Sequence, residues 1–272
     1  MLLGHPVAHS LSPAMQNAAF AAAGLDHRYE TLDVRPEELR AAVARIREDD
    51  RVLGANVTIP HKEAVTGLVD AHDAGALRLG VVNTISKHRD AQGRPQLRGW
   101  NTDGAGFTRA LSDAGIGLAG KRVLVLGAGG ASRAVTAALV AALARVTIAN
   151  RTRARAEQLA RTFPTAGGAW RPEVVDWLPP WAVAGADVVV NTTALGLHGE
   201  DPLAGIALPA GLAVIDLIPT ATDTPLVARA RSGGCEVLSG LPMLVHQGAL
   251  AFAIWTGTVA PIAAMRRAVG LH

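Results

Sequence analysis

Residues 121–142 read KRVLVLGAGGASRAVTAALVAA, and this stretch decides the fold. It begins with an apolar run ending at Leu126, which is typical of a strand buried on both faces of a sheet. It ends with a longer apolar-rich segment that predicts a helix. Gly127, Gly129 and Gly130 lie in the turn between them. A strand that passes through a glycine-rich turn straight into a helix favours dinucleotide binding, because the N–H groups of the helix start can receive a pyrophosphate.

One position of this turn departs from the usual dinucleotide pattern. Ser132 stands where the third glycine of that pattern is expected. The third glycine allows the helix to pack closely on the strand, whereas the first two allow the tight turn and the approach of the phosphates. We therefore expect the departure to affect packing more than phosphate contact. A turn with a purely structural role is the alternative.

The next strand indicates which dinucleotide is bound. It ends at Asn150, and Arg151, Thr152 and Arg155 follow. NAD-binding proteins carry an acidic residue about 20 residues after the turn, where it bonds the ribose 2′-hydroxyl. This segment has no acid, and its two guanidinium groups and hydroxyl suit a 2′-phosphate instead. The sequence therefore favours NADP over NAD, with arginines of an ordinary helix start as the alternative.

Strands and helices alternate on both sides of this stretch. Apolar runs predict further strands over 145–150, 186–192, 212–218 and 235–240. Continuous apolar strands separated by helices predict a parallel sheet that is covered on both faces. Before residue 103 the pattern is shorter, and it predicts strands over 53–59, 81–85 and 95–99 and helices that begin near residues 12, 36, 60 and 102. The prediction is an α/β protein of two units.

Polar residues cluster at several places in the first unit. Ser10 and Ser12 lie at a predicted helix start, where hydroxyls and free N–H groups suit a small carboxylate. A plain helix cap is the alternative for Ser12. Asn83 follows an apolar strand, and Asp103 begins another predicted helix. An acid there is stabilised by the helix dipole, and it could equally pair with a lysine and orient its amine.

Lys62 is the lysine best placed for chemistry. Only two other lysines are present, Lys87 and Lys121. Strand alternation puts Asn56 and Thr58 on one face shortly before Lys62. The helix predicted from residue 60 would hold Lys62 in its first turn, where the helix dipole disfavours a cation. A lysine so placed suits proton transfer, and an exposed surface lysine is the alternative.

Composition excludes several classes of function. The 272 residues carry a formal charge of +3, but the arginines are scattered and aromatic residues make up 4%, so no nucleic-acid partner is expected. The single cysteine, Cys235, excludes a disulfide framework and a cysteine-based zinc site, and we expect no metal. Residues 240–265 are apolar, but His246 and Gln247 favour buried helices over a membrane span. With no evident signal peptide, a cytoplasmic protein is expected.

The clusters taken in chain order resemble the shikimate dehydrogenase family. The matching strings are HSLSP (9–13), GANVTIPHK (54–62), VNT (82–84), NTDG (101–104), GAGGASR (127–133), NRTRARA (150–156) and GLPMLVHQG (240–248). They span nearly the whole chain in the order and spacing of that family. The resemblance implies an N-terminal α/β substrate-binding domain over 1–103 and 241–272, whose C-terminal helices pack back on it. It also implies a Rossmann-like NADP-binding domain over 104–240, with the active site in the cleft between the domains.

The resemblance also implies an activity and its residues. The reaction would be the reversible NADPH-dependent reduction of 3-dehydroshikimate to shikimate, in the biosynthesis of chorismate and the aromatic amino acids. Lys62 would be the acid–base residue and Asp103 its partner. The substrate would be bound or supported by Ser10, Ser12, Asn56, Thr58, Lys62, Asn83, Asp103 and Gln247. The cofactor would be bound by Gly127, Ala128, Gly129, Gly130, Ala131, Asn150, Arg151, Thr152, Arg155, Thr192, Thr193, Gly240 and Met243.

One departure from the family bears on the substrate. The family commonly has a Tyr-Asp-x-x-Tyr stretch, which is Ile-Asp-Leu-Ile-Pro here at 215–219. Pro219 stands where the second tyrosine helps to bind substrate. We expect weaker binding of the shikimate carboxylate, or a related ring acid as substrate. The alternatives are a dehydrogenase for quinate or another cyclic polyol, and a non-catalytic NADP-binding regulator. The partner would be a small molecule and neither nucleic acid nor membrane, with the protein a monomer or homodimer.

Overall fold

The computed structural model describes residues 1–163, 171–177 and 180–271. The chain forms two compact units, one of Met1–Gly106 with Leu244–His272 and one of Phe107–Met243. The boundaries predicted from the sequence fall after residues 103 and 240. Residues 164–170, 178–179 and 272, which belong to the predicted domains, lie outside the described residues.

The first unit contains a mixed six-stranded sheet. Its strands are β1 (Leu2–Gly4), β2 (Thr31–Asp33), β3 (Gly54–Val57), β4 (Ala71–His72), β5 (Thr84–Arg89) and β6 (Pro95–Trp100), in the order β2-β1-β3-β5-β6-β4. Strand β1 is parallel to β2 and β3, whereas β5 is antiparallel to β3 and β6. The helices are α1 (Ser12–Ala22), α2 (Leu39–Glu48), α3 (Ala74–Leu79) and the first turn of α4 (Asp103–Asp113), with 3₁₀ helices at Pro36–Glu38 and Ala64–Leu68. The antiparallel strands bring Asn56 and Thr84 opposite each other.

One core cluster of the first unit lies between its sheet and α2. Helix α2 buries Leu39, Val43 and Ile46, whose spacing puts them on one face, and they pack into one cluster with Leu3 and Ile85 of the sheet. Each such side chain stabilises the fold by about 1.5–3 kcal/mol relative to an exposed one. This packing supports the strands whose ends carry the candidate site.

The second unit contains a parallel six-stranded sheet. Its strands are β7 (Arg122–Leu126), β8 (Arg145–Ala149), β9 (Glu173–Val175), β10 (Val188–Asn191), β11 (Ala213–Asp216) and β12 (Glu236–Leu238), in the order β12-β11-β10-β7-β8-β9. The helices are α5 (Gly130–Ala141), α6 (Arg153–Arg161), α7 (Pro180–Ala184) and α8 (Pro225–Ser232). This strand order is that of the doubly wound Rossmann fold, with its switch point between β7 and β10. The predicted α/β fold is confirmed.

Two helices follow the second sheet, α9 (Gly240–Thr256) and α10 (Ile262–Ala268). Helix α10 packs against α1 within the first unit. Among the described helices, none has both the length and the hydropathy that crossing a bilayer requires.

The helix predicted from residue 60 is wrong. Residues 60–63 form turns, and only a short 3₁₀ helix follows, over Ala64–Leu68. The His61 ring is buried and its Nε2 lies 2.6 Å from the Val34 carbonyl oxygen, while Val65 is buried in the core. These tertiary contacts fix the segment in a conformation that a helical pattern does not reveal.

Candidate active site

Lys62 and Asp103 form an ion pair in the first unit. The Lys62 Nζ lies 2.6 Å from Asp103 Oδ2, and the two side chains are 14% and 5% exposed. Asp103 begins α4, whereas Lys62 precedes the 3₁₀ helix and is not in a first helical turn. The sequence predicted that a helix dipole would act on the Lys62 amine. This prediction is wrong, because Lys62 does not lie at a helix start. Its nearest charge is the carboxylate, and the low exposure limits how far water weakens their attraction.

Asn83 holds the other oxygen of the carboxylate. Its Nδ2 donates to Asp103 Oδ1 at 2.8 Å and to Thr102 Oγ1 at 2.9 Å. Its Oδ1 accepts from the Thr102 backbone N–H at 2.8 Å. Asn101 adds a contact at the helix start, where its Oδ1 accepts from the Asp103 N–H at 3.2 Å. Donors thus reach both carboxylate oxygens of Asp103, which fixes the plane in which it faces Lys62.

Gln247 of α9 reaches the same cluster. Its Oε1 lies 3.5 Å from Asn83 Nδ2 and from Thr102 Oγ1, and its Nε2 donates to the Leu244 carbonyl. Gly106 makes this possible, because a Cβ there would lie 2.7 Å from the Gln247 backbone nitrogen. Helices α4 and α9 can approach this closely only without that carbon.

Asn56 joins the cluster from the buried interior. Its Nδ2 donates to Thr84 Oγ1 at 3.0 Å and its Oδ1 accepts from the Tyr29 hydroxyl at 2.7 Å. Thr84 in turn donates to Asn83 Oδ1 at 3.2 Å. The hydrogen bonds of the described residues thus join Lys62, Asp103, Asn83, Gln247 and Asn56 into one cluster.

Ser10, Ser12 and Thr58 lie in the same unit but outside that bonded cluster. The Ser10 Oγ accepts from the Ser12 backbone N–H at 3.2 Å, ahead of α1. Leu11 is the N-cap of α1, so the alternative in which Ser12 is a plain helix cap is wrong. Ser12 is buried, whereas Ser10 and Thr58 are half-buried. The two serines therefore lie at the same helix start, which could accept an anion. The Ser10 hydroxyl oxygen bonds the Ser12 backbone N–H there.

The glycine-rich turn of the second unit leaves open space beside the start of α5. Gly127 has a φ of 108°, and a Cβ there would lie 2.7 Å from Thr192 Oγ1. Gly129 is the N-cap of α5, and a Cβ there would meet nothing within 4 Å, so space is open beside the helix start. Ser132, at the third position of the pattern, donates its hydroxyl to the Gly127 carbonyl at 2.7 Å. The departure therefore anchors the turn itself, through a hydrogen bond that glycine could not make.

Two arginines that follow β8, Arg151 and Arg155, are exposed, and their guanidinium groups have no ion-pair or hydrogen-bond partner among the described residues. Arg153 between them differs, because it pairs with Glu157 at 3.0 Å and with Asp176 at 2.7 Å. Asn150 Nδ2 donates to the Thr152 carbonyl at 2.8 Å and shapes the segment. Two guanidinium groups thus remain available for an anion at the end of this strand.

Thr192 and Thr193 fix the loop that follows β10. Thr192 Oγ1 donates to the Leu126 carbonyl at 2.7 Å, directly before the glycine-rich turn. Thr193 Oγ1 donates to Asn191 Oδ1 at 2.7 Å. Gly240 lets α9 begin against the loop after β11, because a Cβ there would lie 2.6 Å from the Leu217 carbonyl oxygen. Met243 is buried in the core of this unit.

A buried carboxylate next to these loops is the residue that sequence reasoning missed. Asp216 accepts from Thr224 Oγ1 at 2.6 Å, from Asn191 Nδ2 at 3.0 Å and from the Ile218 N–H at 3.2 Å. Burial raises the pKa of Asp216, and the hydrogen bonds offset part of that effect. The sequence does contain a signal for this network, because the apolar strands β10 and β11 each end in a polar residue, Asn191 and Asp216.

The strand order and the glycine-rich turn beside its switch point define the class, a dinucleotide-binding protein of the Rossmann type. Family models locate the chain more narrowly. Residues 2–85 match the shikimate dehydrogenase substrate binding domain, 109–195 match shikimate / quinate 5-dehydrogenase, and 240–269 match the shikimate 5′-dehydrogenase C-terminal domain. The chain belongs to the shikimate dehydrogenase family.

Individual relatives agree with this assignment over nearly the whole chain. The shikimate dehydrogenase (NADP(+)) of Moorella thermoacetica is 47% identical, over 98% of this chain and 90% of its own length. The shikimate dehydrogenase structure from Aquifex aeolicus has a TM-score of 0.87 and 39% identity, covering 99% of this chain and 96% of its own. The Thermus thermophilus enzyme, solved in complex with NADP(H) and shikimate, has a TM-score of 0.85 and 40% identity, covering 98% and 97%.

Proposed function

We propose that this chain catalyses the reversible NADP-dependent oxidation of shikimate to 3-dehydroshikimate, with Lys62 and Asp103 as its acid–base pair. Family membership makes it an NADP-dependent oxidoreductase acting on a CH–OH group. The observation that carries the mechanism is the largely buried ion pair, 2.6 Å long, whose carboxylate is also held by Asn83. A solvated surface lysine has no such arrangement around it.

Lys62 would move the proton. NADPH, when bound, supplies the hydride for the ring carbon at position 3. As the ketone is reduced, its oxygen gains negative charge, and the Lys62 ammonium donates a proton to that oxygen. The amine is then protonated again from water. In the direction of oxidation the neutral amine takes the proton of the hydroxyl instead.

Asp103 would hold the amine and keep it charged before the transfer. A carboxylate 2.6 Å away favours the ammonium form and fixes the direction in which Nζ points. Asn83 prevents rotation of that carboxylate by bonding its other oxygen. Such positioning is worth a large part of an enzymatic rate enhancement, because the reacting groups need no rearrangement.

The remaining substrate contacts follow from the chemistry of the side chains around the pair. Ser10 and Ser12 would bind the carboxylate at the start of α1. Thr58, Asn83, Asp103 and Gln247 would bond the ring hydroxyls, and Asn56 would support them from the interior. The first unit would thus be the substrate-binding domain.

The residues of the second unit fit NADP. The open space beside Gly129 and the turn at Gly127 suit a pyrophosphate that bonds backbone N–H groups from Gly127 to Ala131. The guanidinium groups of Arg151 and Arg155, which have no partner in the described part of the chain, suit the 2′-phosphate, with Asn150 and Thr152 beside them. Thr192, Thr193, Gly240 and Met243 would line the path of the cofactor beyond the turn.

Quinate is the second candidate substrate, because Pro219 stands at the tyrosine position of the family. Steady-state NADPH formation with shikimate and with quinate, each with NADP and with NAD, tests the proposal. We expect the highest kcat/KM for shikimate with NADP, and a shikimate KM above that of relatives with the tyrosine. A higher kcat/KM for quinate would replace the proposed substrate, and binding of NADP without turnover would support a regulator.

A cytoplasmic location stays a prediction.

A further inference from the structure

A continuous series of side-chain hydrogen bonds connects Asp103 with Tyr29, the only tyrosine of the chain. The Tyr29 hydroxyl bonds Asn56 Oδ1 at 2.7 Å, and Asn56 Nδ2 bonds Thr84 Oγ1 at 3.0 Å. Thr84 Oγ1 bonds Asn83 Oδ1 at 3.2 Å, and Asn83 Nδ2 bonds Asp103 Oδ1 at 2.8 Å. We call these five residues the tyrosine relay. It ends on the carboxylate that contacts Lys62.

Two backbone groups fix the direction of every bond in the tyrosine relay. The Asn83 carbonyl can only accept, and its partner at 3.3 Å is therefore the amide nitrogen of Asn56. The Thr102 N–H can only donate, and its partner at 2.8 Å is therefore the amide oxygen of Asn83. Tyr29 must then donate to Asn56, and Thr84 must donate to Asn83. All the donors point toward Asp103.

The relay lies away from water. Each of its five residues is buried. Burial also raises the pKa of Tyr29 well above its ordinary value, so the phenol keeps the proton that it donates. Hydrogen bonds in such surroundings polarise one another, and a series with a single direction strengthens the last donor most. That donor is the amide that holds Asp103.

We propose that Tyr29 and Thr84 are positioning residues, which orient the Asn83 amide so that it donates to Asp103 and leaves the second carboxylate oxygen to Lys62. Without the Thr84 hydroxyl, Asn83 Oδ1 keeps only the Thr102 N–H, and the amide is less firmly held. Without the Tyr29 hydroxyl, the first donor of the series is lost. The inference rests on the proposed function, because it concerns the same ion pair. It adds two buried residues that the proposed substrate and cofactor contacts do not include.

Three threonine variants test the relay by steady-state kinetics on shikimate with NADP. Thr84→Val keeps the shape of the side chain and removes the donor. We expect kcat to fall about 3- to 10-fold, the effect of losing one hydrogen bond, while the KM for NADP stays unchanged. Thr84→Ser restores the hydroxyl and should recover most of the rate. Thr256→Val is the matched control, because that hydroxyl bonds only the Phe252 carbonyl and Thr258 within the part of the chain that the structure describes, so its kcat should equal that of wild type.

Tyr29→Phe gives a second, independent variant, with an expected loss in kcat of about 2- to 5-fold. Circular dichroism measures the folded fraction of each variant, and kcat is given per folded molecule. Wild-type kcat per folded molecule in both Thr84→Val and Tyr29→Phe would overturn the inference, and so would a loss that Thr84→Ser does not recover. If the wild-type chain itself forms no NADPH from shikimate, the proposed function fails and the relay fails with it. If only the variants behave like wild type, the relay alone fails.

Discussion

The candidate functional cations of the two units have opposite surroundings. In the first, Lys62 is 14% exposed and bonded to a carboxylate 2.6 Å away. In the second, Arg151 and Arg155 are exposed, and their guanidinium groups have no partner among the described residues. A group that transfers a proton must be held at one point, because small displacements cost rate. A group that binds a phosphate keeps its donors free until the ligand arrives. The difference follows from what each cation is proposed to do.

The same contrast recurs within one short segment. Arg153 pairs with Glu157 and Asp176, although Arg151 and Arg155 on either side do not. The three arginines share exposure and charge, so the presence of carboxylates separates a structural guanidinium from the available ones. Arg153 is therefore a control that the chain itself provides.

The largest expected effect is at the buried cation. Lys62→Met removes the amine and retains a side chain of similar length, and we expect kcat to fall by about 10² or more with an unchanged KM for NADP. Lys87→Met is the matched control in the same unit, because among the described residues the Lys87 amine bonds only the Ile46 and Asp49 carbonyls. NADPH formation from saturating shikimate measures both. A Lys62→Met enzyme as fast as Lys87→Met would remove Lys62 from the mechanism.

A smaller effect is expected at the exposed cations. Replacing both Arg151 and Arg155 by alanine should raise the KM for NADP about 10- to 100-fold, because together the two replacements remove charge-assisted hydrogen bonding worth about 1.5–3 kcal/mol. The KM for NAD, which lacks the 2′-phosphate, should hardly change. Arg153→Ala should leave both values near those of wild type. If Arg153→Ala raised the KM for NADP as strongly as the double replacement does, net charge and not the free donors of Arg151 and Arg155 would determine binding.

The smallest expected effect on turnover lies at Asp216, to which we assign a structural role because its carboxylate bonds three groups of its own unit. Asp216→Ala leaves the Asn191 amide, the Ile218 N–H and the Thr224 hydroxyl without their acceptor, and we expect the free energy of unfolding to fall by about 2–4 kcal/mol. Asp216→Asn should lose less than about 1 kcal/mol, because its oxygen can accept from Asn191 and Ile218 while its amide donates to Thr224. Urea unfolding at neutral pH compares the two. Equal losses would contradict this account of the network.

The pH dependence of stability distinguishes Asp216→Asn from wild type. Burial raises the pKa of Asp216 in the folded protein above its ordinary value of 3.8. Its contribution to stability is therefore full below that value and is lost as the pH rises through the raised pKa. Asp216→Asn should lose less stability than wild type over that range. Urea unfolding of wild type and Asp216→Asn at pH values from 3.8 upward measures the difference in stability. Identical pH profiles of the two proteins would contradict the prediction.

The sequence predicted the second unit more fully than the first. Strands β7, β8, β10 and β11 are unbroken apolar runs, so their positions and the parallel sheet could be predicted before the structure. Strands β1 and β2 have three residues each, which is too few to show a period. The segment at Lys62 is shaped by the distant contact between His61 and Val34, which no local pattern reveals.

The candidate site divides in the same way. Lys62, Asp103 and Asn83 could be selected from the polar clusters at predicted strand ends and helix starts, whereas Gln247 was assigned through the resemblance to the family. The network around Asp216 depends on β10 and β11 being neighbours, and the tyrosine relay depends on the pairing of β3 with β5. Sheet order is set by the packing of the whole unit. Hydrogen bonds between strands therefore could not be predicted from sequence spacing.

The central claim, that Lys62 and Asp103 act as one unit, is tested most directly by a double-mutant cycle. The rate of NADPH formation from saturating shikimate and NADP is measured for wild type, Lys62→Met, Asp103→Asn and the double variant. Residues that act together have strongly non-additive effects. We predict that the double variant is no more than about 3-fold slower than the slower single variant. A double variant whose loss equals the product of the two single losses would contradict the account.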